Sequence, residues 1–230
     1  MRGVLYESIT DQVYEILRDE ILQNRLAADN SKLSVQALAA RLNVSRTPVQ
    51  QAIYRLADAG LVVIRPRSGT YVSPVSLVEV QKTMDVRRAL ECLAVERAVA
   101  VFGAPMEARL DELATSIAEL RGQENAQKAE ESNYRFHLEI VMAAGNERLS
   151  RIYETLNLYL TMCRIHHRTD GWKLRIAQEK EEHMAIIAAL RTGMVDSAKQ
   201  AIEHHLMRSM DSLSRELSPH GSLSSNRSGL

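Results

Sequence analysis

Apolar positions in the first 74 residues change period, and the change predicts helices followed by a hairpin. They recur at helical spacing over Tyr6–Asn24, over Val35–Leu42 and from Ser45 to Gly60. Ser34 and Ser45 are the expected N-caps, and Gly60 ends the third helix. Two β-branched runs, "LVVI" and "TYVS", then flank "RPRSG". Three helices and a basic-tipped hairpin predict a winged helix-turn-helix over residues 1–74.

Beyond Leu77 the apolar pattern is helical throughout. Short breaks at glycine, proline and asparagine separate six predicted helices, which are Leu77–Val101, Met106–Arg121, Ala126–Ala143, Glu147–His166, Trp172–Arg191 and Val195–Leu217. Long helices joined by short loops predict an all-α antiparallel bundle over residues 75–217. The Ser/Gly-rich residues 218–230 are predicted to be disordered. The fold class is therefore mainly α.

Composition narrows the class of protein. No stretch approaches 18 uninterrupted apolar residues, so no membrane span is expected. The N-terminus lacks a signal-peptide core and the two cysteines lack a CxxC spacing, which together favour a cytoplasmic protein with free thiols. The net charge is zero, but the segment from residue 41 to residue 70 contains five arginines and one acid. A local basic surface on a neutral chain predicts a site for an anionic partner.

The third predicted helix has a polar face suited to DNA. Its apolar face would pack on the second helix, and the opposite face presents Arg46, Gln50 and Tyr54 beside Thr47 and Gln51. Arginine can pair with guanine and glutamine with adenine in the major groove. For this helix alone, an ordinary solvated surface is an equal alternative. The capped helix before it and the hairpin after it favour DNA binding.

The stretch "LAARLNVSRTPVQQAIYRLADAGLV", followed by "RPRSGTYV", resembles the DNA-binding domain of GntR-type bacterial transcription regulators over roughly residues 5–73. The resemblance implies a homodimer that binds double-stranded DNA at a short palindromic operator, with one recognition helix in each half-site. The family usually has arginine where Gln50 stands, which predicts a departure from its usual half-site. The candidate DNA-contacting residues are Gln36, Ser45, Arg46, Thr47, Gln50, Gln51, Arg65, Arg67 and Gly69.

Three histidines of the predicted bundle are candidate metal ligands. Asn133 and His137 are four residues apart and share a helix face. His183 and His205 lie ~10 and ~12 residues from the loop that joins their antiparallel helices, so they lie at similar heights. Three imidazoles and an oxygen suit zinc or another divalent transition metal. Spacing alone leaves open that each is a surface or satisfied core histidine.

The segments "MDVRRALECLAVERAVA", "NYRFHLEIVMAAGN" and "EHMAIIAALRTGMVDSAKQAIEHHL" are similar to the effector-binding domain of the FCD branch of this family. The resemblance implies a divalent metal held by an Asp-x-x-x-His pair and two later histidines, beside a cavity for a small organic acid. His137, His183 and His205 match, and Asn133 occupies the aspartate position. An amide still offers an oxygen, but the lost charge should weaken metal binding and increase dependence on an anionic effector.

The same resemblance places Arg87 at the cavity, where a guanidinium would bind the carboxylate of the effector. A salt bridge from Arg87 to Glu91, one turn further on, is the alternative. Together these features predict a repressor whose operator binding responds to a small carboxylate metabolite. Two alternatives stay open: the same bundle sensing a ligand without metal, and a metal-dependent enzyme that uses the histidines. No recognisable general-base motif accompanies the histidines, which disfavours the enzyme.

Overall fold

The structure is a computed structural model that describes residues 8–26, 32–119, 126–166 and 172–217. These residues form two compact units. The first contains the described residues up to Val75 together with Leu158–His166, and the second contains Ser76–Asn157 and the described residues after His166. The predicted tail at 218–230 lies outside the described residues.

The first unit begins with three helices, α1 (Ile9–Leu22), α2 (Val35–Leu42) and α3 (Arg46–Asp58). Helix α1 is shorter than the predicted Tyr6–Asn24, because Ser8 is extended and accepts a hydrogen bond from the Asp11 N–H as its N-cap. Helix α3 buries Val49, Ala52, Ile53 and Leu56 on the side that packs against α1 and α2. The predicted three-helix core is confirmed.

The predicted role of Ser45 as a capping side chain is wrong. Ser45 occupies the N-cap position of α3 with an extended backbone, but its side chain makes no capping hydrogen bond. A capping oxygen accepts from the N–H of the second or third helical residue. In α3 the third residue is Pro48, which has no N–H to donate. By contrast, the predicted cap of α2 is present, since Ser34 Oγ accepts from the Ala37 N–H at 3.2 Å.

The first unit also contains a three-stranded antiparallel sheet, with strand order β1-β3-β2. The strands are β1 (Lys32–Leu33), β2 (Val62–Arg65) and β3 (Gly69–Val72). Strands β2 and β3 are the predicted hairpin, with Val62 opposite Val72 and Arg65 opposite Gly69. Strand β1 is not predicted by the sequence pattern, because two residues are too few to show an alternation of apolar and polar positions.

The second unit is helical. Its described helices are α4 (Leu77–Ala98), α5 (Ala104–Glu119), α6 (Ala126–Ala143), α7 (Glu147–His166), α8 (Trp172–Arg191) and α9 (Val195–Leu217), with the last half of α7 counted in the first unit. Helices α6–α9 begin and end where the sequence predicts. Helix α4 ends earlier than predicted because Val99–Val101 is a 3-10 turn. Helix α5 begins two residues earlier, since Pro105 is tolerated in a first turn.

The bundle core combines an apolar cluster with a buried polar layer. Ala94, Val141, Leu149 and Tyr153 belong to the apolar cluster, which lies among α4, α6 and α7. The polar layer comprises charged, amide and imidazole side chains that are almost fully buried, namely Arg87, Glu91, Glu130, Asn133, His137, Glu179, His183 and His205. Among the described helices, none is long and apolar enough to cross a membrane.

Candidate functional site

The N-termini of α2 and α3 form one polar groove. A cavity of about 490 Å³ is lined by Val35, Gln36, Arg46, Thr47, Gln50 and Gln51. Five of the predicted DNA-contacting residues therefore lie together, and Ser45 lies at the start of the same helix. The groove combines an arginine, a hydroxyl and three amides, which are the groups that hydrogen-bond to base edges in a major groove.

Two of the five arginines that suggested a basic surface are neutralised by α1. Arg41 makes two hydrogen bonds of 2.6 Å to the carboxylate of Glu20. Arg55 donates to Asp11 at 2.6 Å. Arg46 has no carboxylate partner among the described residues, and the same holds for the two arginines of the hairpin tip. The number of arginines between residues 41 and 70 overestimates the unpaired positive charge, because the two neutralising acids lie on α1, outside that segment.

The β2–β3 hairpin presents its two arginines in different ways. The Arg65 guanidinium lies 4.8 Å from the centre of the Tyr71 ring. Arg67 occupies the tip with a φ of 62°. At Gly69, φ is +132°, and an added Cβ would come within 2.5 Å of Lys32 Cε. Lys32 therefore adds a cation beside the hairpin, which sequence reasoning missed because it did not predict β1.

In the second unit, the three predicted histidines converge. His137, His183 and His205 are buried, and each offers a ring nitrogen within 4.8 Å of the others. The Nε2 atoms of His137 and His205 are 3.0 Å apart. The His183 ring stacks on Phe136, with centroids 3.9 Å apart. The sequence spacing that placed His183 and His205 at the same height is confirmed.

Two carboxylates orient this three-histidine cluster. His137 Nδ1 donates to Glu91 Oε2 at 2.8 Å, and His205 Nδ1 donates to Glu182 Oε2 at 2.9 Å. With Nδ1 protonated on both rings, both Nε2 atoms turn lone pairs toward the same point. At 3.0 Å, the two Nε2 atoms either share a proton in a hydrogen bond or ligate a common cation. Carboxylates on the outer nitrogens of metal-binding histidines are the usual arrangement.

The electrostatics keep the third histidine neutral. Burial, and then the neighbouring His205 and His137, hold the pKa of His183 well below its ordinary value. Neither ring nitrogen of His183 has a hydrogen-bond partner among the described residues. A neutral imidazole with a free lone pair is the form that ligates a metal.

Asn133 lies one turn before His137 on α6 and is a candidate neutral oxygen donor. It is 3% exposed, and its Oδ1 has no hydrogen-bond partner among the described residues. A buried carbonyl oxygen without a partner is costly, by about 1–3 kcal/mol. Three imidazoles and one carbonyl oxygen fit a divalent transition metal, with positions left for another ligand. None of these four groups is an anion.

Arg87 makes the salt bridge that the sequence left as an alternative. Its Nε donates to Glu91 Oε1 at 2.6 Å, so the salt bridge is present. Its Nη1 and Nη2 have no partner among the described residues, although the side chain is only 1% exposed. Burial would raise the pKa of Glu91, but Arg87 and His137 together hold it below its usual range. Glu91 thus links the guanidinium to the three-histidine cluster.

A second buried ion cluster was missed by the sequence reasoning. Arg175 forms an ion pair with Glu130, and its Nε lies 3.6 Å from Glu179 Oε1. Arg175, Glu179 and His183 recur every four residues on α8, a spacing that could have revealed a shared buried face.

Each of the two units matches a known protein family or domain. The profile of the family described as bacterial regulatory proteins, gntR family, matches residues 9–72, and that of the FCD domain matches residues 82–208. The chain is 27% identical to the HTH-type transcriptional repressor RspR of Escherichia coli K12, over 90% of each protein. It is 30% identical to the HTH-type transcriptional regulator LutR of Bacillus subtilis, over 79% of this chain and 90% of LutR.

A solved structure shows the same fold. E. coli McbR/YncC superimposes with a TM-score of 0.75 over 93% of this chain and 100% of its own, at 20% identity.

Proposed function

We propose that this protein, which belongs to the GntR family of bacterial regulatory proteins and carries an FCD domain, is a repressor controlled by a small carboxylate metabolite. The metabolite would bind beside a divalent metal in the helical bundle. The observation that carries the proposal is the set of buried polar atoms on Arg87, Asn133 and His183 that have no hydrogen-bond partner among the described residues. Buried polar groups in this state indicate that a ligand completes the site.

His137, His183 and His205 would hold the metal, which we take to be zinc, with the Asn133 carbonyl as an oxygen donor. Glu91 and Glu182 would keep the Nε2 atoms of two histidines directed at the ion. A bound divalent ion supplies a positive charge and an open position for an oxygen of the metabolite. The residues that hold it are all neutral, so an anionic metabolite would complete the charge balance.

Arg87 would bind the carboxylate. Its Nε is committed to Glu91, and the two terminal nitrogens that stay unpartnered have the fork geometry that matches a carboxylate. By linkage, a metabolite that weakens operator binding must itself bind more weakly to the operator-bound protein. The metal-free sensor is less well supported, because it gives no role to three buried imidazoles whose ring nitrogens lie within 4.8 Å of one another.

On the DNA side, a homodimer would place α3 of each subunit in one half-site of a palindromic operator. Arg46 would pair with guanine, and Gln50, whose amide makes no hydrogen bond to the described residues, would pair with adenine. Arg65, Arg67 and Lys32 would contact the sugar-phosphate backbone or the minor groove. A protein that acts on chromosomal operators works in the cytoplasm.

Selection of genomic DNA fragments bound by the full-length protein tests this proposal. We expect a palindromic operator, with nearby genes that indicate candidate metabolites. Operator release by those metabolites would then be compared in Arg87→Lys and Arg88→Lys. Lysine can keep the charge opposite Glu91 but lacks the fork, so only the first variant should lose the response. Arg88 is exposed and serves as the control. An equal response in both variants would contradict the assignment of Arg87.

A further inference from the structure

The two adjacent glutamines of the groove differ in their surroundings. Gln51 Oε1 accepts a hydrogen bond of 2.9 Å from the hydroxyl of Thr10 on α1. Gln50 has no such contact among the described residues. Both side chains line the same groove with Arg46, so both are available to a DNA duplex docked there.

Thr10 is itself held firmly. It lies in the first turn of α1, between Ser8 and Asp11, which cap each other reciprocally. Asp11 also accepts from Arg55 at 2.6 Å, and Arg55 lies 4.1 Å from the centre of the Tyr14 ring. Because residues 51 and 55 are one turn apart on α3, these contacts form a continuous seam between α1 and α3.

The seam determines what Gln51 can offer to DNA. A glutamine amide has a carbonyl acceptor and an NH₂ donor, and adenine recognition uses both, against N6 and N7. With its carbonyl oxygen turned toward Thr10, the planar amide of Gln51 directs its NH₂ group elsewhere, so the donor is the group left to face DNA. A donor can be accepted by guanine N7 and O6 or by a phosphate oxygen.

We propose that Thr10 fixes the orientation of the Gln51 amide. Gln51 then donates from its NH₂ group to a hydrogen-bond acceptor on the operator, either a guanine edge or a phosphate oxygen. The paired contact with adenine is then left to Gln50. A residue of the first helix thereby controls the base preference of the recognition helix. The inference rests on the proposed operator binding and adds the chemical group that Gln51 recognises.

Selection from a randomised duplex library, using the full-length protein, tests the inference. Thr10→Val keeps the shape of the side chain and removes the hydroxyl, whereas Thr10→Ser retains the hydroxyl and is the matched control. If Gln51 faces a guanine, the valine variant should gain adenine at that base pair, and the preference should shift by about 3- to 10-fold. If it faces a phosphate, preferences should stay constant while Gln51→Ala weakens all sequences by a similar factor.

Gln51→Glu provides a second variant that does not depend on α1. A carboxylate can still accept from Thr10 but has nothing to donate, so operator affinity should fall at least as far as in Gln51→Ala. The inference is overturned if Thr10→Val retains wild-type base preferences while Gln51→Ala changes them, or if Gln51→Glu binds as tightly as wild type. Failure of the wild-type protein to select any operator would instead contradict the proposed function.

Discussion

Replacing Glu91 with glutamine should destabilise the bundle far more than replacing an exposed glutamate. Glu91 is buried and accepts from both Arg87 and His137. Without that charge, a guanidinium that is 1% exposed loses the carboxylate to which it donates. Removing one partner of a buried ion pair costs about 3–5 kcal/mol. At about 2–4 °C per kcal/mol for a chain of this size, Tm should fall by roughly 6–20 °C.

The control is Glu96→Gln. Glu96 lies on the same helix α4 as Glu91, and its ion pair with Lys199 of α9 is half-exposed. Such pairs contribute about 0–1 kcal/mol, so its Tm should change little. Thermal unfolding followed by circular dichroism, with a chelator in all samples, would compare the variants without bound metal. Equal Tm values for the two variants would contradict the role of Glu91 as a stabilising buried carboxylate.

The pH dependence of Glu91 gives the same test a second readout. Its pKa in the folded protein lies below its ordinary value of 4.5, so its contribution is present above that pH and is lost as pH falls further. The gap in stability between wild type and Glu91→Gln should therefore narrow as the pH falls below that value. A gap that widened with acid would contradict the sign.

Three further changes have defined outcomes. Arg46→Ala should abolish operator binding in a fluorescence anisotropy assay and leave the fold and the oligomeric state intact; unchanged binding would contradict the assignment of α3. Asn133→Asp should tighten zinc binding in a chelator competition assay, since it adds an anion to a neutral donor set, and looser zinc would place the residue outside the site. Gly69→Ala should lower stability by about 1–3 kcal/mol in urea unfolding because its φ is +132°, whereas Gly103→Ala should have little effect.

The sequence predicted long-range features where residue spacing was informative. Glycine, proline and capping residues located the ends of α6–α9, and similar distances from one loop placed His183 and His205 at similar heights. The apolar periodicity and the two β-branched runs likewise predicted the helices and the hairpin of the first unit. These features depend on contacts between neighbours in sequence or on helix geometry, both of which leave a periodic trace.

The missed features depend on partners far apart in the chain. Arg41 and Arg55 are neutralised by acids 21 and 44 residues away, which no local pattern reveals. Glu182 lies 23 residues before His205, and its contact arises only when α8 and α9 pack together. The absent cap at Ser45 is different, since the proline that removes its donor was visible in the sequence.

The most direct test is to measure zinc content and operator affinity on the same preparations of three proteins: wild type, His205→Ala and His204→Ala. His205 is buried in the cluster, and the adjacent His204 is exposed on another face of α9. We expect about one divalent ion per chain in wild type and His204→Ala and a large loss in His205→Ala, with operator binding retained by all three in the absence of effector. A wild-type protein that binds its operator and cannot take up zinc, or equal zinc in both variants, would contradict the proposed metal site.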